Sequence, residues 1–134
     1  MKIYFAGSVR GGRSDAQLYH DIIACLKRDH EVLTEHIGDI ALNSVEGPRD
    51  VMIYRQDMAW LQEADMLVAE CTCPSLGVGY ELARAQALRV PCHLFYNAEK
   101  TQLSAMLTGA QYFHIHPYRQ KEEVFAVLGE ILAR

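Results

Sequence analysis

Two carboxylates and two glycine-bearing loops carry the chemistry this chain could perform. Glu81 lies in "CTCPSLGVGYELARA", residues 71–85, where Pro74, Ser75, Gly77 and Gly79 precede a helix-like run. A helix over 78–88 puts Glu81 in the first turn, where the helix dipole favours an ionised carboxylate at neutral pH. An acid there is also ordinary capping, but two glycines so close together suggest a backbone shaped around something that approaches it. Asp57 falls on or beside an apolar helical stripe set by Ile53, Tyr54 and Leu61. A carboxylate in that position needs a partner, such as an arginine or a helix cap, or a purpose, such as proton donation toward a ligand. The third feature, "GSVRGGR" at 7–13, offers backbone N–H groups, the Ser8 hydroxyl and the cations Arg10 and Arg13. Such a loop can hold a phosphate at a helix entrance, or be a solvated basic turn. It matches neither the dinucleotide fingerprint nor a Walker A loop.

Other candidates are weaker. Glu70 ends an apolar strand and could reach the site or serve as a cap partner, and His36 could line the site from the end of the second strand. The six histidines show no helical metal spacing; His114 and His116 alternate along one face of a strand. Cys25, Cys71, Cys73 and Cys92 lack the paired spacing of a zinc site and read as free thiols in or near the core.

The elements that must position these groups alternate. "KIYFA" reads as a strand that ends in the first glycine loop, and a helix follows with Ser14 or Asp15 as its cap. A strand is expected over 31–34, then a long polar loop, then a helix over 50–64 with Ile53, Tyr54, Met58, Leu61 and Ala64 on its buried side. "MLVA" at 66–69 is a fully covered strand. Further strands are expected over 91–96 and 112–115, with a short helix around "TQLSAMLTG" and a closing amphipathic helix over Lys121–Leu132. This order calls for an α/β, doubly wound, Rossmann- or flavodoxin-like sandwich with a five-stranded parallel sheet. In such sheets ligands bind beyond the carboxyl ends of the strands, where the strand order reverses. The loops after the first and third strands are the two that carry glycine.

Bulk properties narrow the function. The 134 residues suit one domain, 1–134, with one core. A net charge of -4 argues against broad nucleic-acid binding, and no apolar run is long enough to span a membrane. A cytoplasmic protein is expected.

The segments "YFAGSVRGGR", "LTEH", "QDMAWLQEADMLVAE", "PSLGVGYELARA" and "LSAM" together resemble the 2'-deoxynucleoside 5'-monophosphate N-glycosidases of the nucleoside deoxyribosyltransferase superfamily. The resemblance implies hydrolysis of a deoxynucleotide to free base and 2-deoxyribose 5-phosphate, without cofactor or metal. It assigns the nucleophile to Glu81 and supporting catalytic roles to Asp57 and Tyr4. Ser8, Val9, Arg10, Gly11, Ser75 and Gly77 would hold the phosphate, and Ser104 and Met106 would complete the neighbouring site of a homodimer. Transferases of the superfamily resemble one another in carrying an acid six positions before the nucleophile. Serine stands there in this chain, and a hydroxyl can donate to a phosphate that a carboxylate would repel. Base-exchanging transfer, ribonucleotide hydrolysis and a non-catalytic nucleotide sensor are the alternatives. Base preference is not legible.

Overall fold

The alternation of "KIYFA" sets the two faces of the molecule. In the computed structural model, which describes residues 1–9, 14–38 and 50–133, this run is strand β1 (Lys2–Ala6). Its period of two sends Ile3 and Phe5 into one core and Tyr4 and Ala6 into the other. The remaining elements follow in order: α1 (Ala16–Leu26), β2 (Glu31–Val32), a 3-10 turn (Glu35–Gly38), α2 (Asp50–Glu63), β3 (Met66–Glu70), α3 (Leu76–Ala87), β4 (Cys92–Asn97), α4 (Ala105–Thr108), β5 (His114–Tyr118) and α5 (Lys121–Leu132).

The five strands form one parallel sheet in the order β2-β1-β3-β4-β5, the expected doubly wound architecture. Tyr19, Ile22 and Leu26 of α1 and Val124 and Leu128 of α5 cover the face of Ile3, Phe5 and Val68. Leu61 of α2 and Val78, Leu82 and Ala85 of α3 cover the face of Tyr4, Leu67 and Leu94. Covered on both sides, all five residues of β3 are buried, including Glu70. The strand order reverses between β1 and β3, so the loops after these two strands flank the crevice where a ligand belongs.

Three departures from the sequence expectation have physical causes. The second strand stops at Val32 because Thr34 turns inward, accepting from the Phe5 N–H at 2.8 Å and donating to the Phe5 carbonyl at 2.6 Å. Its hydroxyl thus satisfies β1 backbone groups that a longer β2 would have paired. The last strand begins two residues later than expected, since Tyr112 and Phe113 pack edge-to-face in the preceding turn and the Tyr112 hydroxyl donates to the Val90 carbonyl at 2.7 Å. The α2 stripe is covered only in its later half. Leu61 is fully buried and Met58 and Ala64 are partly so, whereas Ile53 and Tyr54 stay 40% and 52% exposed. Of the long polar loop, residues 39–49 lie outside the described set.

Gly7 follows β1 directly, and a Cβ placed there would come within 2.8 Å of the Tyr19 ring. That ring is buried against Phe5, with centroids 5.6 Å apart, and its hydroxyl accepts from the Ser8 N–H at 3.1 Å. Gly7→Ala is expected to destabilise the fold by about 1–3 kcal/mol. Urea unfolding measures this, and an unchanged midpoint would show that the ring yields freely.

Candidate active site

Tyr4, Asp57 and Glu81 meet on the α2/α3 side of the sheet. Tyr4 is fully buried on β1, and its hydroxyl donates a short hydrogen bond to Glu81 Oε2 on α3. Burial pushes the Tyr4 phenol well above its ordinary range, and the charges of Glu81 and Asp57 push it further. Tyr4 therefore stays protonated as a permanent donor. A buried tyrosine hydroxyl needs a partner, and here a carboxylate supplies it.

Glu81 is not where the sequence put it. The Ser75 side chain accepts from the Val78 N–H at 3.2 Å and caps α3, so the helix begins at Leu76 and Glu81 lies in its second turn. Beyond the first turn the helix dipole has little hold. Burial dominates instead, pushing the Glu81 carboxyl up to about 7 against the hydrogen bond from Tyr4, with Asp57's charge adding to the rise. The expected fully ionised carboxylate is thus replaced by a group that titrates near neutrality. Asp57 is half-buried on α2, and burial raises it to about 6. Asp57's charge acts on Glu81, so the two titrations are linked. Between about pH 6 and 7 the higher pKa keeps the proton mainly on Glu81 while Asp57 is ionised.

Of the other predicted residues, Ser8, Val9 and Ser75 lie beside the switch point. Ser8 is buried and Val9 half-buried just past β1; Arg10 and Gly11 lie outside the described residues, as does Arg13. Ser75 uses its oxygen as helix cap, which leaves its O–H free to donate to a ligand. Gly77 and Gly79 are helical, so the expected shaped loop is instead the opening turn of α3. Among the described residues, a Cβ on Gly77 would come no closer than 3.8 Å, to Ser75 Oγ, and one on Gly79 would meet nothing within 4 Å. The glycines answer no packing need of α3 itself; they leave open surface beside Ser75. Ser104 caps α4 through the Met106 N–H at 3.2 Å, and Met106 is 81% exposed. Tyr54 and Tyr80, near Asp57 and Glu81 on α2 and α3, share a hydroxyl hydrogen bond of 3.1 Å.

Glu70 lies on the other side of the sheet from Tyr4 and Glu81. It faces the α1/α5 side, accepting from Thr72 and Tyr118. His36 is exposed, with its ring 5.8 Å from that of Trp60. His114 and His116 do share a face, where both stack on His93. The four cysteines are free thiols. Among the described residues no group of three or more His, Cys, Asp or Glu side chains could hold a metal. Residue reasoning alone missed Tyr4, which was implied only by resemblance. The signal for it was a tyrosine at an inward position of a central strand, with a hydroxyl to satisfy.

Comparison with known proteins gives one consistent result. The family model described as "Nucleoside 2-deoxyribosyltransferase" matches residues 3–121. The rat 5-hydroxymethyl-dUMP N-hydrolase is 48% identical over 112 residues, covering 81% of this chain and 69% of that protein. Its human counterpart is 45% identical over 128 residues, covering 90% and 73%. A putative 2'-deoxynucleoside 5'-phosphate N-hydrolase from Trichoplax adhaerens is 47% identical over 124 residues, covering 90% and 85%. Among solved structures, a Clostridium botulinum CMP N-glycosidase superposes with a TM-score of 0.70 at 17% identity, covering 97% and 99% of the two chains. A 2-deoxyribosyltransferase from Bacillus psychrosaccharolyticus gives 0.70 at 16%, covering 93% and 90%. At such identity these two show the fold.

The raised carboxyl of Glu81 has a consequence for stability. Its pKa in the fold exceeds its ordinary value of 4.5, so the folded state binds that proton more tightly. The stabilisation is full below about pH 4.5 and is lost as pH rises through about 7. Glu81→Gln should therefore melt higher than the wild type at pH 8, with the gap closing toward pH 4.5. Melting scans across that range check this; an equal gap at all pH values would show that the carboxyl is not destabilised by burial.

Proposed function

We propose, given that this chain belongs to the nucleoside 2-deoxyribosyltransferase family, that it hydrolyses the N-glycosidic bond of 2'-deoxynucleoside 5'-monophosphates. The observation that carries the reading is the paired acids Glu81 and Asp57 around the Tyr4 hydroxyl, beside a serine-capped helix at the sheet's switch point. Relatives at 44–48% identity bearing the names of nucleotide N-hydrolases support it.

In this mechanism Glu81 attacks the anomeric carbon as a carboxylate while the bond from that carbon to the base nitrogen breaks. Glu81 has the higher pKa of the two, so the reactive form is the one in which the proton has passed from Glu81 to Asp57, which delivers it to the departing base directly or through water. Tyr4 holds the nucleophile in place through its hydrogen bond. Water then attacks the anomeric carbon of the glycosyl ester, Asp57 takes its proton, and Glu81 leaves as carboxylate. Positive charge on the sugar builds more readily in a deoxy sugar, which lacks the electron-withdrawing 2'-hydroxyl. Ser8, Val9, Arg10, Gly11, Ser75 and Gly77 receive the phosphate, with the Ser75 hydroxyl and the open surface at Gly77 favouring it. The relatives' names make 5-hydroxymethyl-dUMP a substrate to test first.

The same reading includes a homodimer in which Ser104 and Met106 complete the neighbouring site. Val51, Met52, Leu76 and Met106 are more than half exposed, and a second subunit would cover such side chains. Free cysteines and a charged nucleotide substrate favour a cytoplasmic location. Among the described residues no helix is long and apolar enough to cross a membrane.

A panel of deoxynucleoside and ribonucleoside 5'-monophosphates, with the free nucleosides, should release base from deoxynucleotides without any acceptor base. Release from nucleosides only when an acceptor is added would establish transfer instead. Glu81→Gln should lower turnover by on the order of a thousandfold or more, while leaving nucleotide affinity within about threefold. The rate should peak between about pH 6 and 7, where the Asp57–Glu81 pair holds one proton. A rate that climbs steadily to pH 9 would remove Asp57 as proton donor.

A further inference from the structure

The mechanism leaves one buried carboxyl group unused. Glu70 ends β3 and is 1% exposed, on the opposite face of the sheet from Tyr4 and Glu81. Its carboxylate accepts three hydrogen bonds: from the Thr72 N–H at 3.0 Å, the Thr72 hydroxyl at 2.7 Å and the Tyr118 hydroxyl at 2.6 Å. Thr72 Oγ1 also accepts from the Asn97 N–H at 2.9 Å, which ties the same hydroxyl to the end of β4. Beside this knot the Cys71 N–H donates to the Phe95 carbonyl at 2.8 Å. The first residues of the loop from β3 to Ser75 are thereby tied to the ends of both β4 and β5. Burying a carboxylate is expensive unless every lone pair finds a donor. Burial raises the Glu70 carboxyl, and the bonds from Tyr118 and Thr72 oppose that rise.

We propose that Glu70 is a positioning residue for 5'-phosphate recognition: through Thr72 and Tyr118 it fixes the loop that presents Ser75 and the start of α3 to the phosphate. The proposal rests on the function given above. Glu70 cannot touch the glycosidic bond, since the sheet lies between it and the paired acids. Its influence passes through the loop, and so falls on the phosphate end of the substrate and not on the bond that breaks. A carboxylate serves here where a neutral amide would not, because an amide offers one acceptor oxygen and an NH2 to a site furnished with three donors.

The test compares Glu70→Gln and Tyr118→Phe with the wild type on a deoxynucleoside 5'-monophosphate and on the matching unphosphorylated deoxynucleoside. Calorimetry with 2-deoxyribose 5-phosphate and with 2-deoxyribose runs in parallel. For Glu70→Gln, KM for the nucleotide should rise about tenfold, the scale of one lost charge-assisted hydrogen bond. Its kcat, and cleavage of the nucleoside, should stay within about threefold. Tyr118→Phe should shift the same quantities in the same direction by about threefold. Equal losses on nucleotide and nucleoside, or an unchanged nucleotide KM in folded protein, would overturn the proposal. If Glu70→Gln does not fold, Tyr118→Phe decides by the same comparison. Should the wild type cleave no nucleotide, the proposed function fails on its own. Calorimetry then decides the positioning role: weaker binding of the sugar phosphate alone supports it, and unaltered or absent preference for the phosphate defeats it.

Discussion

The hydrogen bond between Tyr4 and Glu81 is the constraint around which the rest of the structure is arranged. It joins a central strand to the helix that follows another central strand, and it puts a carboxylate in a setting that disfavours its charge. Burial alone would leave such a group protonated and inert as a nucleophile. The phenol hydrogen offsets part of that penalty and holds the oxygen in one orientation. Glu81 is then neither a stable carboxylate nor a stable acid near neutrality. Asp57 lies within range of the same carboxyl, and its charge pushes the Glu81 pKa up further.

That constraint divides labour between the faces of the sheet. The parity of β1 directs Tyr4 to the α2/α3 side, where both acids reside, and Phe5 to the α1/α5 side. On the α1/α5 side the polar groups are structural: the Tyr19 hydroxyl holds the Ser8 N–H, and Glu70 gathers Thr72 and Tyr118. These contacts hold Ser8 just past β1 and Thr72 just past β3, on the face away from Tyr4 and Glu81.

Much of this was legible in the sequence because strands, glycine-bearing loops and helices alternate strictly, which admits few topologies. Two errors share one cause. "SLGVG" reads as loop because glycine is a poor helix former, yet the Ser75 cap starts α3 two residues earlier and absorbs both glycines into its first turn. Moving the helix start moved Glu81 out of the dipole's reach, so its protonation was misjudged along with its position. The α2 stripe was misread differently. Its period is helical, but periodicity cannot say what covers a face, and Ile53 and Tyr54 are left exposed by the chain's own sheet. Tyr4 eluded residue reasoning because a tyrosine in an apolar strand reads as core until its hydroxyl is asked for a partner.

Ser75 shows how a change of substrate can be separated from the integrity of the fold. As the cap of α3 it accepts the Val78 N–H, a task that aspartate performs about as well as serine. An acid at this position would keep α3 capped and leave Glu81 and Tyr4 in register. It would remove the one hydrogen that the Ser75 hydroxyl can donate outward and put a negative charge where a phosphate must lie. Helix stability is then nearly indifferent to the exchange, while affinity for a 5'-phosphate is not. A position that caps a helix with an oxygen is one where the presence or absence of a phosphate on the substrate can be selected without disturbing Glu81, six residues on in the same helix, or Asp57 on the neighbouring helix.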